Sequence, residues 1–360
     1  MIRLLVVDDS ALLRRLLGEV FRAAGGFEIA FARDGEEALA ALPNFRPDVV
    51  TLDIQMPRMG GLACLDRIML EHPVPVVVLS AVTEAGAQET LEALALGAVE
   101  VLAKPSRALS LTIGELAPRL VETVRAAAGA RLRRSHRLAE RVRLRTGLPP
   151  SPRPAAPGPG PATKPDATGE ADRLVLIGCS TGGPAALDVV LGGLPAGFSW
   201  PVLVAQHMPA AFTGPLARRL DRLCALPVQE VTRPVPLRPG QVYVGHGDSD
   251  LMLSRRPDGL VAMSAPMLPE HRWHPSVDRM VVSAMQHLPP HHLIGVLMTG
   301  MGNDGAAAMA RLRAAGGRTI AEAEATAVVW GMPAELVRAG GAGAVLPLEA
   351  IAATLADWTA

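Results

Sequence analysis

Short hydrophobic runs alternate with longer amphipathic stretches along the first third of the chain. The runs are rich in Val, Ile and Leu and have the length of strands, whereas the stretches between them repeat apolar positions at helical spacing. The predicted strands are 2–7, 48–52, 74–79 and 99–103, and the predicted helices are 12–24, 62–71, 85–96 and a last helix through 124. This alternation predicts a parallel sheet with helices on both faces.

A second series of such patterns begins near residue 172. Apolar runs at 174–177, 201–205 and 293–299 are strand-like, and helical patterns follow at 185–191 and 306–315. A length of 360 residues agrees with two domains of about 100–200 residues each. The predicted fold class is therefore α/β, with two doubly wound parallel-sheet domains joined by a linker.

The linker is recognised by its composition. Seven arginines lie within 131–145, and eight prolines lie among the 17 positions 149–165. Proline fixes φ and lacks a backbone donor, so the second stretch is incompatible with a helix interior or a central strand. The predicted division is a first domain at 1–125, an Arg-rich and Pro-rich linker at 126–171 and a second domain at 172–360.

Charge adds a second distinction between these segments. The chain has 35 basic and 35 acidic residues, and its positive charge is concentrated in the linker. The arginines there could recognise an acidic partner or nucleic acid, but a solvated helical extension of the first domain is favoured. The segment has no aromatic residues and no zinc-finger or recognition-helix pattern, so nucleic-acid binding is not expected.

Several classes of protein are excluded. Three scattered cysteines, Cys64, Cys179 and Cys224, cannot form a disulfide scaffold in a chain of this size. The apolar start at 1–7 meets Asp8 at once, which is typical of a strand and not of a secretory segment. No apolar run approaches the ~20 residues needed to cross a bilayer. We expect a soluble cytoplasmic protein that is not membrane-embedded.

Reactive side chains follow the predicted strands of the first domain. Asp8 and Asp9 come after the first run, Asp53 after the second, Ser80 after the third and Lys104 after the fourth. The carboxyl ends of parallel strands are where ligands bind in such sheets. Three carboxylates brought together need a cation, and Mg²⁺ suits oxygen ligands. The predicted site is a metal-assisted phosphate acceptor with Asp53 as nucleophile, Lys104 neutralising the phosphoryl charge and Ser80 donating a hydrogen bond to it.

Three segments carry the signatures of a known family: V-V-D-D-S at 6–10, D-I-Q-M-P-R-M-G-G at 53–61 and K-P at 104–105. They resemble a response-regulator receiver domain spanning about the first 125 residues. The resemblance implies five strands, phosphorylation of Asp53 by a histidine kinase, and Mg²⁺ held by Asp9, Asp53 and the carbonyl of Gln55, with Asp8 assisting. The chain departs from the family at Val101, where receivers usually carry a tyrosine or phenylalanine switch.

The first strand of the second domain ends in a glycine-flanked serine. Residues 178–182 read G-C-S-T-G between the strand and the next helix. In this context a tight turn exposes Ser180 above the sheet and aims backbone N–H groups at developing negative charge. A phosphate-binding turn is the rival interpretation, but no Gly-Lys-Ser/Thr ending and no G-x-G-x-x-G follow the strand.

A base and an orienting carboxylate are predicted at neighbouring strand ends. The run 201–205 delivers His207, and the run 293–299 opens into a loop that contains Asp304. A serine hydroxyl needs a base to take its proton, and the base needs a carboxylate to orient it. The chain order Ser, His, Asp differs from that of α/β-hydrolases. Alternative carboxylates, which follow shorter runs, are Asp248, Asp250 and Asp278.

Other nucleophiles and ligands in this domain are less favoured. The remaining histidines of the domain are predicted to be surface or packing residues: His246, His271, His274, His287, His291 and His292. Their spacing does not match a zinc motif. Cys179 precedes Ser180 in an extended segment, so its side chain should point the other way and be buried.

The second domain also has a family resemblance. The segments that carry it are I-G-C-S-T-G-G-P at 177–184, Q-H-M-P at 206–209, P-S-V-D at 275–278, L-M-T-G-M-G-N-D-G at 297–305 and V-W-G-M-P at 329–333. They resemble the catalytic domain of chemotaxis protein-glutamate methylesterases, the CheB family. The resemblance implies hydrolysis of glutamate γ-methyl esters on chemoreceptor helices, with release of methanol, and often glutamine deamidation. It implies a triad of Ser180, His207 and Asp304, with backbone near Thr181 and Met301 at the oxyanion site.

Two departures from the family affect the predicted substrate groove. G-H-G at 245–247 stands where the family usually has A-P-G, and Trp273 and His274 precede Pro275 as an apparent insertion. We expect phosphorylation of the receiver to relieve inhibition of the hydrolase. Two alternatives stay open, namely a serine esterase or amidase acting outside chemotaxis and a catalytically silent phospho-dependent scaffold.

Overall fold

A computed structural model describes residues 1–80, 84–104, 109–132 and 172–359. The chain divides into two compact units, Met1–Ala156 and Pro157–Ala360. Most of the predicted linker at 126–171, including all of its prolines, lies outside the described residues. Among the helices of the described ranges, none combines the length and the apolar character that a membrane span requires.

The first unit is a five-stranded parallel sheet flanked by helices. Its strands are β1 (Ile2–Val7), β2 (Phe27–Ala32), β3 (Val49–Asp53), β4 (Val76–Ser80) and β5 (Glu100–Ala103). Its helices are α1 (Ala11–Ala24), α2 (Gly35–Phe45), α3 (Gly61–Glu71), α4 (Glu84–Leu96) and α5 (Leu109–Ala128). The strand order is β2-β1-β3-β4-β5, with every pair parallel. All residues of β3 and β4 are buried because helices cover both faces of the sheet.

The second unit contains a seven-stranded parallel sheet. The strands of this sheet are β6 (Leu174–Cys179), β7 (Val202–Gln206), β8 (Val228–Val231), β10 (Val242–Gly245), β13 (Leu293–Leu297), β14 (Arg318–Glu322) and β15 (Ala344–Leu346). Its helices are α6 (Gly183–Gly192), α7 (Ala210–Leu223), α8 (Val277–His287), α9 (Ala306–Ala314), α10 (Met332–Arg338) and α11 (Leu348–Thr359). The order β15-β14-β13-β6-β7-β10-β8 places β6 at the centre, between β13 and β7.

A small antiparallel sheet, which the sequence did not predict, completes this unit. It consists of β9 (Val235–Pro236), β11 (Asp250–Arg256) and β12 (Gly259–Ala265) in the order β11-β12-β9. Strand β11 lies against α8, where Ser283 accepts a hydrogen bond from the backbone N–H of Leu253 at 3.0 Å. The sheet therefore supports the helix whose first turn faces the loop that carries Asp304.

The predicted α/β class with two parallel sheets is confirmed. The bounds of the predicted elements agree to within a few residues, and the largest difference is at α5, which is predicted through 124 and ends at Ala128. Several elements are absent from the prediction, namely β8, β10, β14 and β15 of the second parallel sheet and helices α2, α7, α8, α10 and α11. Strand β2 is absent from the predicted runs because only its last residue, Ala32, is buried. A strand at the edge of a sheet does not need a continuous apolar run.

Candidate functional site

The carboxyl edge of the first sheet brings together the charged residues predicted there. Val7 and Leu52 are paired in register across β1 and β3, so Asp8 and Asp53, the next residues, lie side by side. Lys104 follows β5. Its Nζ is 2.8 Å from Asp8 Oδ2 and 2.7 Å from Asp53 Oδ2. The ammonium thus joins two buried carboxylates at one point of the edge.

A third carboxylate completes this acidic cluster. Ligand oxygens of Asp8, Asp9 and Asp53 lie within 4.8 Å of one another, and Asp9 is exposed whereas the other two are buried. The geometry and the donor set fit a hard cation that prefers oxygen ligands. An open, solvent-facing side at Asp9 together with the Lys104 ammonium also gives room for an anionic group beside the cation.

Burial and charge shift the proton affinities in this cluster. Burial raises the pKa of Asp53, and the neighbouring Asp8 adds to the rise, while Lys104 and the backbone N–H of Gln55 oppose it only in part. Burial alone would lower the pKa of Lys104, but the two carboxylates raise it above its usual value. The lysine therefore stays charged, and one ammonium faces two carboxylates.

The predicted supporting residues lie at the same edge. Ser80 is the last residue of β4 and is buried, and its hydroxyl donates a hydrogen bond to the carbonyl of Gly86 at 3.3 Å. Val101, in the position where receivers usually carry an aromatic residue, is a buried residue of β5. Its small side chain leaves no aromatic group at that point to turn between inward and outward positions.

The raised pKa of Asp53 should make the stability of the protein depend on pH. Because the pKa of this carboxyl is higher in the folded than in the unfolded chain, the wild type loses stability relative to Asp53→Asn as pH rises through the carboxyl range. We expect the stability difference in favour of the variant to grow from about pH 3 to pH 7 in metal-free buffer. Urea unfolding of both proteins across this range measures it, with Asp9→Asn as the matched exposed control. A difference that is flat or falls with pH contradicts the prediction.

In the second unit, the predicted nucleophile and base lie at the ends of adjacent strands. Cys179 and Gln206 are paired in register across β6 and β7, and Ser180 and His207 are the next residues. The backbone N–H of His207 donates to the carbonyl of Cys179 at 3.0 Å, and that of Ser180 donates to the carbonyl of Thr299 at 2.9 Å. Ser180 is therefore held between the ends of β7 and β13.

Asp304 is bound to His207. Its Oδ2 is 2.8 Å from His207 Nε2, and both side chains are buried. The same carboxylate accepts the backbone N–H groups of Val277 at 2.6 Å and Asp278 at 3.0 Å, and the hydroxyl of Ser276 at 3.1 Å. These donors form the first turn of α8, where the positive end of the helix dipole favours an anion. Burial by itself would raise the pKa of Asp304, but the hydrogen bonds from His207 and the helix hold the pKa below its usual value.

This bond determines which imidazole nitrogen can act as a base. An ionised Asp304 accepts the proton of Nε2, so the lone pair of the neutral ring lies on Nδ1. Nδ1 is buried and has no hydrogen-bond partner among the described residues. The Ser180 hydroxyl likewise makes no hydrogen bond within the described part of the chain, and the residue is buried, with 8% of its surface exposed. Ser180 and His207 therefore follow paired residues of adjacent strands, and Nδ1 of His207 is not engaged by any other described residue.

The two loops predicted to hold the oxyanion also meet at Ser180. A Cβ added at Gly300 would lie 2.8 Å from the Cβ of Ser180, which shows how closely the loop leading to Met301 approaches the serine. On the other side, the carbonyl of Thr181 accepts the hydroxyl of Thr299 at 2.8 Å. Gly182 follows with a φ of 79°, a left-handed conformation that glycine adopts readily. Both loops therefore pack closely against the turn that carries Ser180.

Two of the carboxylates considered as alternatives to Asp304, namely Asp250 and Asp278, bind other partners. Asp250 is 2.8 Å from His274 Nδ1 and also contacts Arg279. The Oδ1 of Asp278 accepts the backbone N–H of Ala308 at 2.8 Å. His246, predicted as a surface or packing residue, is half-buried and lies 2.8 Å from Glu230. Cys179 is fully buried, as expected.

Gln206 is a functional residue that the sequence analysis missed. It is fully buried, and its Nε2 donates to the carbonyls of Ser180 and His207, both at 3.0 Å. Its Oε1 accepts the thiol of Cys179 at 3.1 Å, and a Cβ at Gly183 would lie only 1.9 Å from the same oxygen. One amide thereby ties together the backbones of both catalytic candidates. A polar residue ending an otherwise apolar strand is the sequence signal that identifies it.

We predict that Gln206→Leu lowers both stability and activity. The substitution removes both donors to the Ser180 and His207 carbonyls, and each buried group left unsatisfied costs about 1–3 kcal/mol. Urea unfolding should show a loss of this size, and the rate of ester hydrolysis should fall with it. Gln286→Leu makes the same exchange at an exposed position of α8 and should have little effect. Equal behaviour of the two variants contradicts the role of the amide.

Comparisons with known proteins agree with this division into two sites. Residues 4–113 match the family model described as response regulator receiver domain, and residues 175–355 match the one described as CheB methylesterase. A crystal structure of the Thermotoga maritima CheB methylesterase catalytic domain is 36% identical with a TM-score of 0.50, and the match covers 51% of this chain and 97% of that one.

Two relatives match along nearly their whole length. A Rhodopseudomonas palustris protein named protein-glutamate methylesterase/protein-glutamine glutaminase 2 is 58% identical, and the match covers 99% of this chain and 98% of the relative. A Rhodospirillum rubrum protein with the same name, numbered 3, is 51% identical, with coverage of 99% and 96%. With a receiver unit followed by a methylesterase unit, and with this similarity throughout, the chain belongs to the CheB methylesterase family.

Proposed function

We propose that this chain is a phosphorylation-regulated serine hydrolase that removes methyl esters from glutamate side chains of chemoreceptor helices. The products are methanol and the free glutamate carboxylate, and the same chemistry on glutamine releases ammonia. The observation that supports it most directly is the His207 ring, whose Nε2 is bonded to Asp304 while Nδ1 has no partner among the described residues and Ser180 stands at the next strand end. The names of the two relatives support the substrate class.

The proposed reaction begins at the Ser180 hydroxyl. Nδ1 of His207 takes the hydroxyl proton as Oγ attacks the ester carbonyl, and Asp304 stabilises the imidazolium that forms. Backbone N–H groups near Thr181 and Met301 stabilise the oxyanion, and loss of one such donor costs about 2.7–4 kcal/mol. The methoxide oxygen leaves with the proton from Nδ1. Water, deprotonated by the same nitrogen, then hydrolyses the acyl-enzyme and regenerates Ser180.

Control is proposed to act through the acidic cluster of the first unit. Asp53 accepts a phosphoryl group from a histidine kinase, Lys104 neutralises the new charge, and Ser80 exchanges its bond to Gly86 for one to a phosphoryl oxygen. Asp8, Asp9 and Asp53, with the Gln55 carbonyl, would hold Mg²⁺, which when bound offsets negative charge on the phosphoryl oxygens. Residue 101 is a buried valine. The proposed response to phosphorylation therefore does not use the aromatic switch residue that receivers usually carry at this position.

Ser180→Ala tests the nucleophile. We expect methanol release from methylated receptor peptides to fall by a factor on the order of 10⁴–10⁶, since the proposed acyl-enzyme forms on the Ser180 hydroxyl. Mass spectrometry of the peptides before and after incubation measures it and also reports deamidation. Ser199→Ala, an exposed serine of the same unit, should hydrolyse at the normal rate. Substantial turnover by Ser180→Ala would remove Ser180 from the mechanism.

A second test addresses regulation. Addition of acetyl phosphate with Mg²⁺ should raise methanol release by the wild type about 5-fold or more, the usual scale of coupling between two sites. Asp53→Asn, which cannot form the acyl phosphate, should not respond, and a chelator should abolish the response of the wild type. If the variant responds as the wild type does, the regulatory role of Asp53 is wrong.

A further inference from the structure

A tryptophan ring lies parallel to the imidazole of His207 and offset from it. The ring centroids of Trp273 and His207 are 6.1 Å apart and the ring planes differ by 8°. This distance and angle are those of an offset-stacked aromatic pair. The His207 side chain is 3% exposed, whereas Trp273 is half-buried. The indole therefore forms one wall of the space in which the imidazole lies.

The indole also rests on the loop that carries Asp304. A Cβ added at Gly302 would lie 2.6 Å from Cζ2 and 2.7 Å from Cη2 of Trp273, and Gly302 has a φ of +87°. Gly302 stands between Met301 and Asn303, two positions before Asp304. The indole of Trp273 thereby contacts both the ring of His207 and the backbone of the loop that carries Asp304.

Neighbouring interactions hold Trp273 in this position. His274, the next residue, binds the fully buried Asp250 at 2.8 Å, and Ser276 begins α8 and bonds to Asp304. On the indole itself, the guanidinium carbon of Arg272 lies 5.2 Å from the ring centroid. The segment is thus attached directly after the tryptophan, the arginine covers the indole, and the indole presents a surface to His207.

The imidazole needs such a surface. A single hydrogen bond at Nε2 limits rotation about the Cβ–Cγ bond only weakly, because torsions of this type have broad energy wells. Nδ1 has no hydrogen-bond partner among the described residues that would limit it further. Proton transfer from Ser180 requires the lone pair of Nδ1 to point at the hydroxyl, so an unconstrained ring would spend less time in the productive orientation.

We propose that Trp273 is a positioning residue for His207: its indole face holds the plane of the imidazole so that Nδ1 points at Ser180 while Nε2 stays on Asp304. This role rests on the proposed function of Ser180 as nucleophile.

The kinetic test uses the full-length chain with Trp273→Leu and Trp273→Phe. We expect Trp273→Leu to lower kcat for a small methyl ester about 10- to 100-fold, part of the 10²- to 10⁴-fold that a positioned base supplies, with KM changed less than about 2-fold. The rate at which a fluorophosphonate labels Ser180 should fall by the same factor. Phe restores a flat face and should recover most of both rates.

Trp358→Leu is the matched control. Trp358 is also half-buried and also lies beneath an arginine, with the guanidinium carbon of Arg318 5.3 Å from its ring centroid, but it belongs to α11. It should keep normal kinetics. The proposal is overturned if Trp273→Leu reacts at the wild-type rates, or if this variant raises KM while kcat stays unchanged. It is also overturned if Trp273→Phe is as slow as Trp273→Leu. Failure of the wild type to be labelled at Ser180 would instead overturn the proposed function, and this role with it.

A spectroscopic measurement tests the contact without relying on turnover. The difference spectrum between the wild type and Trp273→Phe gives the emission of this indole, which depends on the ring that lies beside it. We expect His207→Gln to change the intensity of this difference spectrum. A tryptophan with only a packing role would give a difference spectrum that does not depend on His207, which would overturn the proposal.

Discussion

The carboxylate of Asp304 is a buried charge that the surrounding structure must satisfy. It does so with two backbone N–H groups at the start of α8, the hydroxyl of Ser276 and the ring of His207. Removing any of these would leave a charge in a low-dielectric interior with too few partners, which is strongly unfavourable. The position of α8, the tautomer of His207 and the path of the loop after β13 are therefore consequences of one interaction.

Both units place their reactive side chains at the carboxyl edge of a parallel sheet, but the chemistry of the two edges differs. In each, side chains that follow parallel strands meet at one edge of the sheet, where helix starts and free backbone groups leave room for a ligand. The first edge concentrates charge, with Lys104 between two buried carboxylates. The second edge concentrates hydrogen-bonding groups, with the buried carboxylate of Asp304 bonded to His207. A phosphoryl group suits the former and an ester carbonyl suits the latter.

The residues at strand ends could be predicted because a buried parallel strand is a continuous apolar run, and whatever follows it stands at the functional edge. This reasoning located Asp53, Ser180 and His207 from local pattern alone. The antiparallel sheet of β9, β11 and β12 was missed because β9 has only two residues, and because the apolar stretches of β11 and β12 are interrupted by polar residues and end in exposed or partly exposed positions. The Nε2 bond of His207 and the contacts of Trp273 depend on tertiary packing between segments far apart in the chain, which no local pattern contains.

The close approach of Gln206 to the turn after Ser180 has an evolutionary consequence. No side chain fits at position 183 while the glutamine amide occupies its place, since even one extra carbon would overlap its oxygen. Conversely, a shorter residue at 206 would open a void that only a larger residue at 183 could fill. The two positions are therefore expected to change together among relatives or not at all, so that the nucleophile turn and the end of β7 are inherited as one unit.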